Sequence, residues 1–384
     1  VGAMLLILLS LTLMIWIVAT IDASFGFRRL DSLEKAEAAD TGPMLSVIVA
    51  ARNEEEHIYQ SVHTQLSQTY KNVEWILVND RSEDATGKLM NNLKDLDKRV
   101  NVIHIERLPE GWLGKNNALD KGYKQASGKL ILFTDADVMY EPEAFSKAVG
   151  YFEKHCLDHM TAAPNLSAKP FWLKSFVAFF LFGFSYYKRP WLANNPRSKT
   201  GIGIGAFNMM TRSAYEKIGT HEQIKMRPDD DLQLGMKVKA AGLRQRIVTA
   251  MTLIEVEWYP SLKEALAGLE KNTFAGLHYR ISMVLFSVFG VFVSQVIPFF
   301  TIFSENNALA LLSAANIIFL AILYSMVTKK MTRFSPWLFL ALPFTAMLFI
   351  FSIIRASYLT FKRGGIIWRG TKYTLSELRK NDLK

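Results

Sequence analysis

Four charge-free apolar runs break up the chain: Met4–Ile21, Ile281–Phe303, Ala308–Thr328 and Phe334–Ile354. They are 18, 23, 21 and 21 residues long, and about 20 apolar residues cross a bilayer. The pattern predicts an N-terminal transmembrane anchor over 4–21 and about three further hydrophobic helices over 281–361. Residues 22–43 are polar and alanine-rich and read as a linker. From 44 to 280 the periodicity is that of a folded domain. Ser46–Ala51, Trp75–Val78, Val100–Ile105 and Lys129–Thr134 are short apolar runs. Helix-like stretches at Glu54–Gln68, Asp84–Leu96 and Lys115–Ala126 separate them. Such alternation predicts an α/β domain on a mostly parallel, Rossmann-like sheet. Ligands in these sheets sit beyond the carboxyl ends of the strands, so the residues after each run are the ones to examine.

Residues 165–280 are less regular. Pro170–Leu192 concentrates Phe171, Trp172, Phe176, Phe179, Phe180 and Phe182 among only three basic residues. Two readings stand side by side for 165–195: a segment lying in the membrane interface, or an aromatic-rich core helix.

Composition places the charge. Half of the residues are hydrophobic, the mean hydropathy is +0.12 and the formal charge is +10. A purely soluble enzyme, a disordered chain and a disulfide scaffold are excluded. Cys156 is the only cysteine, which excludes an intramolecular disulfide and a cysteine-based zinc site. Residues 281–384 carry +8 of the charge and residues 1–280 only +2. The basic surplus therefore accompanies the apolar helices, where anionic headgroups attract it; the lipid bilayer is the expected partner and nucleic acid is not. The first run has no charged n-region and no small-residue cleavage site, so it reads as an anchor. Arg28 and Arg29 directly after it place the domain in the cytoplasm of a multi-pass plasma-membrane protein. The basic tail, 362–384, conflicts with this. Three later spans would carry it outside, although Lys329, Lys330 and Arg333 also favour the cytoplasm. Either the fourth run, interrupted by Pro343, is re-entrant, or one run is interfacial.

Three polar clusters follow the strands: Ala51-Arg52-Asn53-Glu54-Glu55, Asn79-Asp80-Arg81-Ser82-Glu83-Asp84 and Asp135-Ala136-Asp137. At one sheet edge they converge on one crevice. Ser82 and Asp84 suit helix N-caps; Asp80 precedes the cap and suits a nucleoside or ribose hydroxyl. In an extended segment residues i and i+2 face one side, so Asp135 and Asp137 offer one ligand two carboxylates. Such hard oxygen donors suit Mg²⁺ or Mn²⁺ shared with substrate phosphates; the plainer reading is a solvated turn. Lys115 starts a helix behind Gly111 and Gly114, an anion site without Walker spacing. In Arg227-Pro228-Asp229-Asp230-Asp231-Leu232, three carboxylates repel one another, so at least one should hold its proton more tightly or face a cation. Leu232, Leu234, Met236 and Val238 point to an inward-packing element, which suits a general base tuned by Asp229 and Asp230.

Together Val47–Glu54, Ile76–Thr86, Gly114–Gly128 leading into Asp135-Ala136-Asp137, Gly201–Arg212 and Asp230–Gly242 resemble the membrane-bound family 2 glycosyltransferases of GT-A fold. The resemblance covers residues 44–280. It implies inverting transfer of a sugar from a nucleotide diphosphate donor, with a UDP-sugar expected, to a hydroxyl or carboxyl of a membrane lipid acceptor. It implies that Ala51, Asn53, Glu54, Asp80 and Lys115 contact the donor, and that Asp135 and Asp137 hold the metal and diphosphate. Asp231, 11 residues before Gly242 as in the family, would be the catalytic base. Asp230 takes the preceding place, where Glu is more usual. Gly205, Trp172 and Phe176 would lie on the acceptor side. Two departures stand out. Asn79 replaces the first acid of the usual Asp pair, and Glu270-Lys271-Asn272-Thr273-Phe274 stands where some relatives carry Gln-x-x-Arg-Trp. Trp368-Arg369-Gly370-Thr371-Lys372-Tyr373 is similar to the tail of relatives that glycosylate small lipids, and Arg369 would reach the diphosphate if the tail is cytoplasmic. A polysaccharide synthase and an inactive sugar-nucleotide-binding scaffold are the alternatives. The missing Gln-x-x-Arg-Trp and the few spans disfavour the first; retention of Asp80, Asp137 and Asp231 disfavours the second.

Overall fold

The computed structural model describes residues 2–368 and 371–376. The chain forms two compact units, one of Val1–Arg28, Ser167–Arg189 and Trp258–Lys384, the other of Arg29–Leu166 and Pro190–Glu257.

The second unit is built on eight strands: β1 (Leu45–Ala51), β2 (Val73–Asp80), β3 (Val100–Ile105), β4 (Leu130–Asp135), β5 (Val138–Tyr140), β6 (His159–Ser167), β7 (Asn208–Thr211) and β8 (Gln245–Glu257). Their order is β3-β2-β1-β4-β7-β6-β8-β5. The first four are parallel, with Val47 opposite both Trp75 and Leu132. They read as unbroken apolar runs because both faces are covered. Val47, Val49 and Leu132 pack with Ile58, Val62 and Phe145 on one face. Ile48, Ile76 and Ile131 pack with Leu119, Tyr215 and Leu234 on the other. Each fully buried aliphatic side chain contributes about 1.5–3 kcal/mol, which fixes the register and hence the line of strand ends. The other half of the sheet is antiparallel, Phe133 of β4 pairing with Asn208 of β7. The sheet is the mixed, mostly parallel GT-A-like arrangement expected.

Residues 29–42 are less of a tether than their composition suggests. Their only helical turns are 3-10, yet Leu33 is fully buried in the sheet core. Thr249 N–H donates to Asp31 C=O at 2.9 Å, and Ala39 N–H to Ser146 C=O at 2.9 Å. From Arg29 onward this stretch is a strap on the sheet unit.

The other unit is helical. Among the described residues, four helical stretches are long and apolar enough to cross a membrane: Gly2–Arg29, Ile281–Thr301, Asn307–Met331 and Pro336–Arg363. They coincide with the four apolar runs. Pro343 sits in the first turn of helix Leu342–Arg363, after the 3-10 turn Pro336–Ala341, where a missing N–H costs nothing. It starts a helix rather than interrupting one. Asn316 donates to Leu9 C=O at 3.0 Å and accepts from Thr12 Oγ1 at 2.9 Å, the internal pairing that a lipid surrounding demands. The aromatic segment forms helix Phe171–Lys188 of this unit, with Phe176, Phe179 and Phe182 buried. Phe182 lies 6.0 Å from Trp16 and 5.5 Å from Tyr324, so the helix has a core face. Residues 167–189 and 258–280 thus group with the apolar helices and not with the sheet. Helix Leu262–Ala275 carries Glu270, whose carboxylate accepts from Arg355 Nη1 at 3.1 Å and from Arg363 Nη1 at 2.6 Å.

Candidate functional site

The loops leaving β1 and β2 are stitched together. Asn53, in the left-handed region at φ 55°, donates its N–H to Ser82 Oγ at 3.1 Å and accepts Glu83 N–H at 2.9 Å. Glu54 N–H donates to Thr86 Oγ1 at 2.8 Å. Asp84 accepts the N–H of Thr86 and of Glu55. Partial burial pushes its proton affinity up, but these hydrogen bonds outweigh it and hold the carboxyl below its ordinary value. Asp84 therefore closes the turn that leads into helix Thr86–Leu96, whose N-cap position falls on Ala85. Ala51 is buried at the end of β1. Asp80, buried at the end of β2, is gripped by Arg81 through Nε at 2.7 Å and Nη2 at 3.0 Å.

Next to Asp80 begins helix Gly114–Gln125. A Cβ on Gly114 would lie 2.2 Å from Asp80 Oδ2, so glycine leaves room for that carboxylate at the helix start. The following residue, Lys115, places Nζ 2.7 Å from Asp135 Oδ1 at the end of β4 and 3.8 Å from Asp230 Oδ2. Asp230 and Asp231 form the first turn of helix Asp230–Ala240, held by Leu234 and Val238 while Met236 is exposed. Asp231 Oδ2 accepts Gly205 N–H at 2.7 Å, and Oδ1 accepts Leu232 N–H at 2.8 Å. Lys115, Asp135, Gly205, Asn208, Asp230 and Asp231 line one pocket.

The electrostatics follow from one ammonium among several carboxylates. Burial pulls the Lys115 ammonium down, but Asp135, Asp230 and Asp231 outweigh it and hold the value above the ordinary one. Asp231 is pushed up to about 7, by removal from water first and by the Asp230 charge second, with Lys115 opposing. Asp229 contributes less than the sequence suggests, because Arg227 grips it at 2.9 Å through both Nε and Nη2.

Asp137 is pushed up to about 6 by burial, then by Asp135 and Glu54. Asp137 thus stands beside two further carboxylates, Asp135 and Glu54, and a hard divalent cation fits such oxygen donors. Among the described residues no group of three or more His, Cys, Asp or Glu could hold a metal ion. An ion on Asp135 and Asp137 would need oxygens from the substrate.

A buried polar frame, invisible in the sequence pattern, supports the pocket. Ile202 N–H donates to Gln245 Oε1 at 3.0 Å and Ile204 N–H to Thr161 Oγ1 at 2.9 Å. Asn208 Nδ2 donates to Asp231 C=O at 3.3 Å. His159 links the two sides, its Nδ1 accepting from Gln245 Nε2 at 2.9 Å while Nε2 donates to Asn208 Oδ1. A Cβ on Gly203 would lie 1.8 Å from Asp231 C=O, so loop and helix touch backbone to backbone.

The predicted residues Lys115, Asp135, Gly205, Asp230 and Asp231 are thus brought together, with Asp80 at the start of the Lys115 helix. Asn53 and Glu54 belong to the stitched loops, Glu54 near enough to Asp137 to raise it. Trp172 and Phe176 lie in the helical unit, the former exposed and the latter fully buried. Arg369 lies outside the described residues.

Residues 46–219 match the family model described as glycosyl transferase family 2. An uncharacterized glycosyltransferase of Haemophilus influenzae is 39% identical over 120 residues, which is 31% of this chain and 35% of that protein. Escherichia coli WfaP, the UDP-Glc:alpha-D-GlcNAc-diphosphoundecaprenol beta-1,3-glucosyltransferase, is 34% identical over 110 residues, 29% of this chain and 41% of that protein. The chain therefore spans well under half the length of these relatives. Among solved structures, the mannosyltransferase PcManGT of Pyrobaculum calidifontis, in complex with GDP-Man and Mn²⁺, superposes with a TM-score of 0.55 at 15% identity. It covers 93% of this chain and 98% of its own, a likeness of fold.

Proposed function

From the match of residues 46–219 to the glycosyl transferase family 2 model, we propose that the chain transfers a sugar, with inversion, from a nucleotide diphosphate donor to a hydroxyl or carboxyl of a membrane lipid. The observation that carries this reading is Asp231. It is a carboxylate with a raised proton affinity, aimed by a backbone N–H, in one pocket with Lys115 and Asp135. That is the equipment of a general base matched to neutral pH. Asp231 would take the acceptor hydroxyl proton as that oxygen bonds to the anomeric carbon. The bond from that carbon to the diphosphate oxygen breaks, and its electron pair leaves with the nucleotide. Lys115 lies where it can meet the donor charge, and Asp80 beside Gly114 suits the nucleoside. A divalent ion held by Asp135 and Asp137 would neutralise charge on the departing diphosphate. The apolar helices support a lipid acceptor, as does the acceptor recorded in the name of the Escherichia coli relative; a UDP-sugar is the donor we favour.

The test uses the full chain in nanodiscs with total lipid and a panel of nucleotide sugars, read by the mass shift of the lipid. Asp231→Asn should abolish transfer while nucleotide binding, measured calorimetrically, survives. Undiminished turnover in that variant would sink the assignment.

A further inference from the structure

Asp230 has a second close neighbour besides Lys115. The imidazole of His221 places Nε2 3.9 Å from Asp230 Oδ2. His221 opens the short 3-10 turn His221–Ile224 and is fully buried, edge-on to Phe133 at 5.0 Å and beside Tyr215 at 5.6 Å. Tyr215 decides which ring nitrogen carries the hydrogen. Its hydroxyl oxygen accepts the His221 backbone N–H at 3.0 Å and lies 2.5 Å from Nδ1. Burial holds the phenol well above its ordinary value, so the hydroxyl keeps its hydrogen. With the amide already on the oxygen, that hydrogen points to Nδ1. Nδ1 is then an acceptor, and the neutral ring carries its hydrogen on Nε2. This buried Nε2 has no hydrogen-bond partner among the described residues. Its distance to Asp230 is about 1 Å beyond hydrogen-bond length, and a buried donor left unpaired is costly.

Lys115, meanwhile, is shared among three carboxylates. A diphosphate arriving beside Asp135 would compete for it and so weaken its hold on Asp230. We propose that His221, held in its Nε2–H form by Tyr215, is a positioning residue that takes Asp230 as hydrogen-bond acceptor and fixes the Asp230–Asp231 pair when donor binds. This role rests on the transferase reading above. It lies outside the strand-end clusters, and nothing in the spacing of the acidic run points to it.

Two measurements test it on the full chain in nanodiscs. Histidine-selective ¹⁵N spectra, with His221 assigned by its loss in His221→Gln, should show a neutral ring protonated at Nε2. A ring protonated at Nδ1 overturns the proposal. The second measurement is transfer from UDP-glucose and GDP-mannose to total lipid. His221→Phe should lower kcat about tenfold or more with donor KM within about twofold. His221→Gln, whose amide nitrogen stands near the place of Nε2, should recover most of that loss. Equal loss in both variants, or a loss confined to KM, overturns the role. If His221→Phe does not fold, Tyr215→Phe replaces it: a lowered kcat with a mixture of ring tautomers supports the lock, and an unchanged kcat overturns it. No turnover of any nucleotide sugar by the unaltered chain overturns the transferase reading alone, and the tautomer still decides whether His221 is poised as described.

Discussion

Gly203→Ala puts the proposed base at risk without touching an ionisable group. The added methyl would sit 1.8 Å from the Asp231 carbonyl oxygen, whereas real Cβ contacts essentially never fall below 3.0 Å. Loop and helix must therefore part by about 1.2 Å, and the obstructing atom is backbone, which has no rotamer to swing away. Gly205 N–H, two residues along the same loop, holds Asp231 Oδ2 at 2.7 Å, so that bond opens with the gap. A misplacement of about 1 Å at a reacting group costs on the order of 10²-fold in rate. Overpacking of this kind costs about 1–3 kcal/mol of stability. The assay is kcat for lipid glycosylation beside thermal unfolding of the same preparation. Gly183→Ala serves as control, because a Cβ there meets nothing within 4 Å. The expected result is a folded protein with kcat down about a hundredfold. A folded Gly203→Ala with the rate of the control would refute the claim that this contact positions Asp231.

Two pH responses follow. Because Asp231 is pushed up to about 7 and a base works only when deprotonated, kcat/KM should fall about tenfold per pH unit below that value and flatten above it. Asp230→Asn removes the charge that helps raise Asp231, so the acid limb should move to lower pH; a limb that stays in place contradicts the pairing. The second response is structural. Burial lowers His159 to about 4, against the modest pull of Asn208 in the other direction. The unfolded chain takes up a proton near pH 6.5 and the folded one does not, so stability is full above about 6.5 and lost as pH falls towards 4, by about 3 kcal/mol. His159→Gln should flatten that dependence in melts at about pH 4.5 and 7.5; an unchanged slope would show that another group sets it.

The parallel half of the sheet was legible because strands buried on both faces leave unbroken apolar runs such as Leu130-Ile131-Leu132-Phe133, and the polar residues after them mark the ligand edge. The antiparallel half was not. β7 has only four residues, and β8 runs through Arg246 and Glu255, whose charges mask its alternation. Asp135, Asp230 and Asp231 could be named in advance because adjacent carboxylates are conspicuous in a chain. Their supports could not. His159, Thr161 and Gln245 are single polar residues on buried faces whose partners lie tens of residues away, and His221 meets Tyr215 and Asp230 through a short turn, so no local period records them. Residues 29–42 misled for the opposite reason. Polar composition suggested solvent, while one leucine and a few backbone hydrogen bonds were enough to dock the segment.

Glu270 has a bearing on how the helical unit is made. Arg355 directly follows the charge-free run of helix Leu342–Arg363, and a guanidinium carried unaccompanied to the centre of a bilayer costs about 2.5–3.5 kcal/mol by insertion scales. Its counter-charge stands 85 residues earlier in the chain, so translation delivers the acid before the base. The last apolar helix then finds an acid already in the chain for its arginines, and the order of synthesis becomes part of the instruction for placing it.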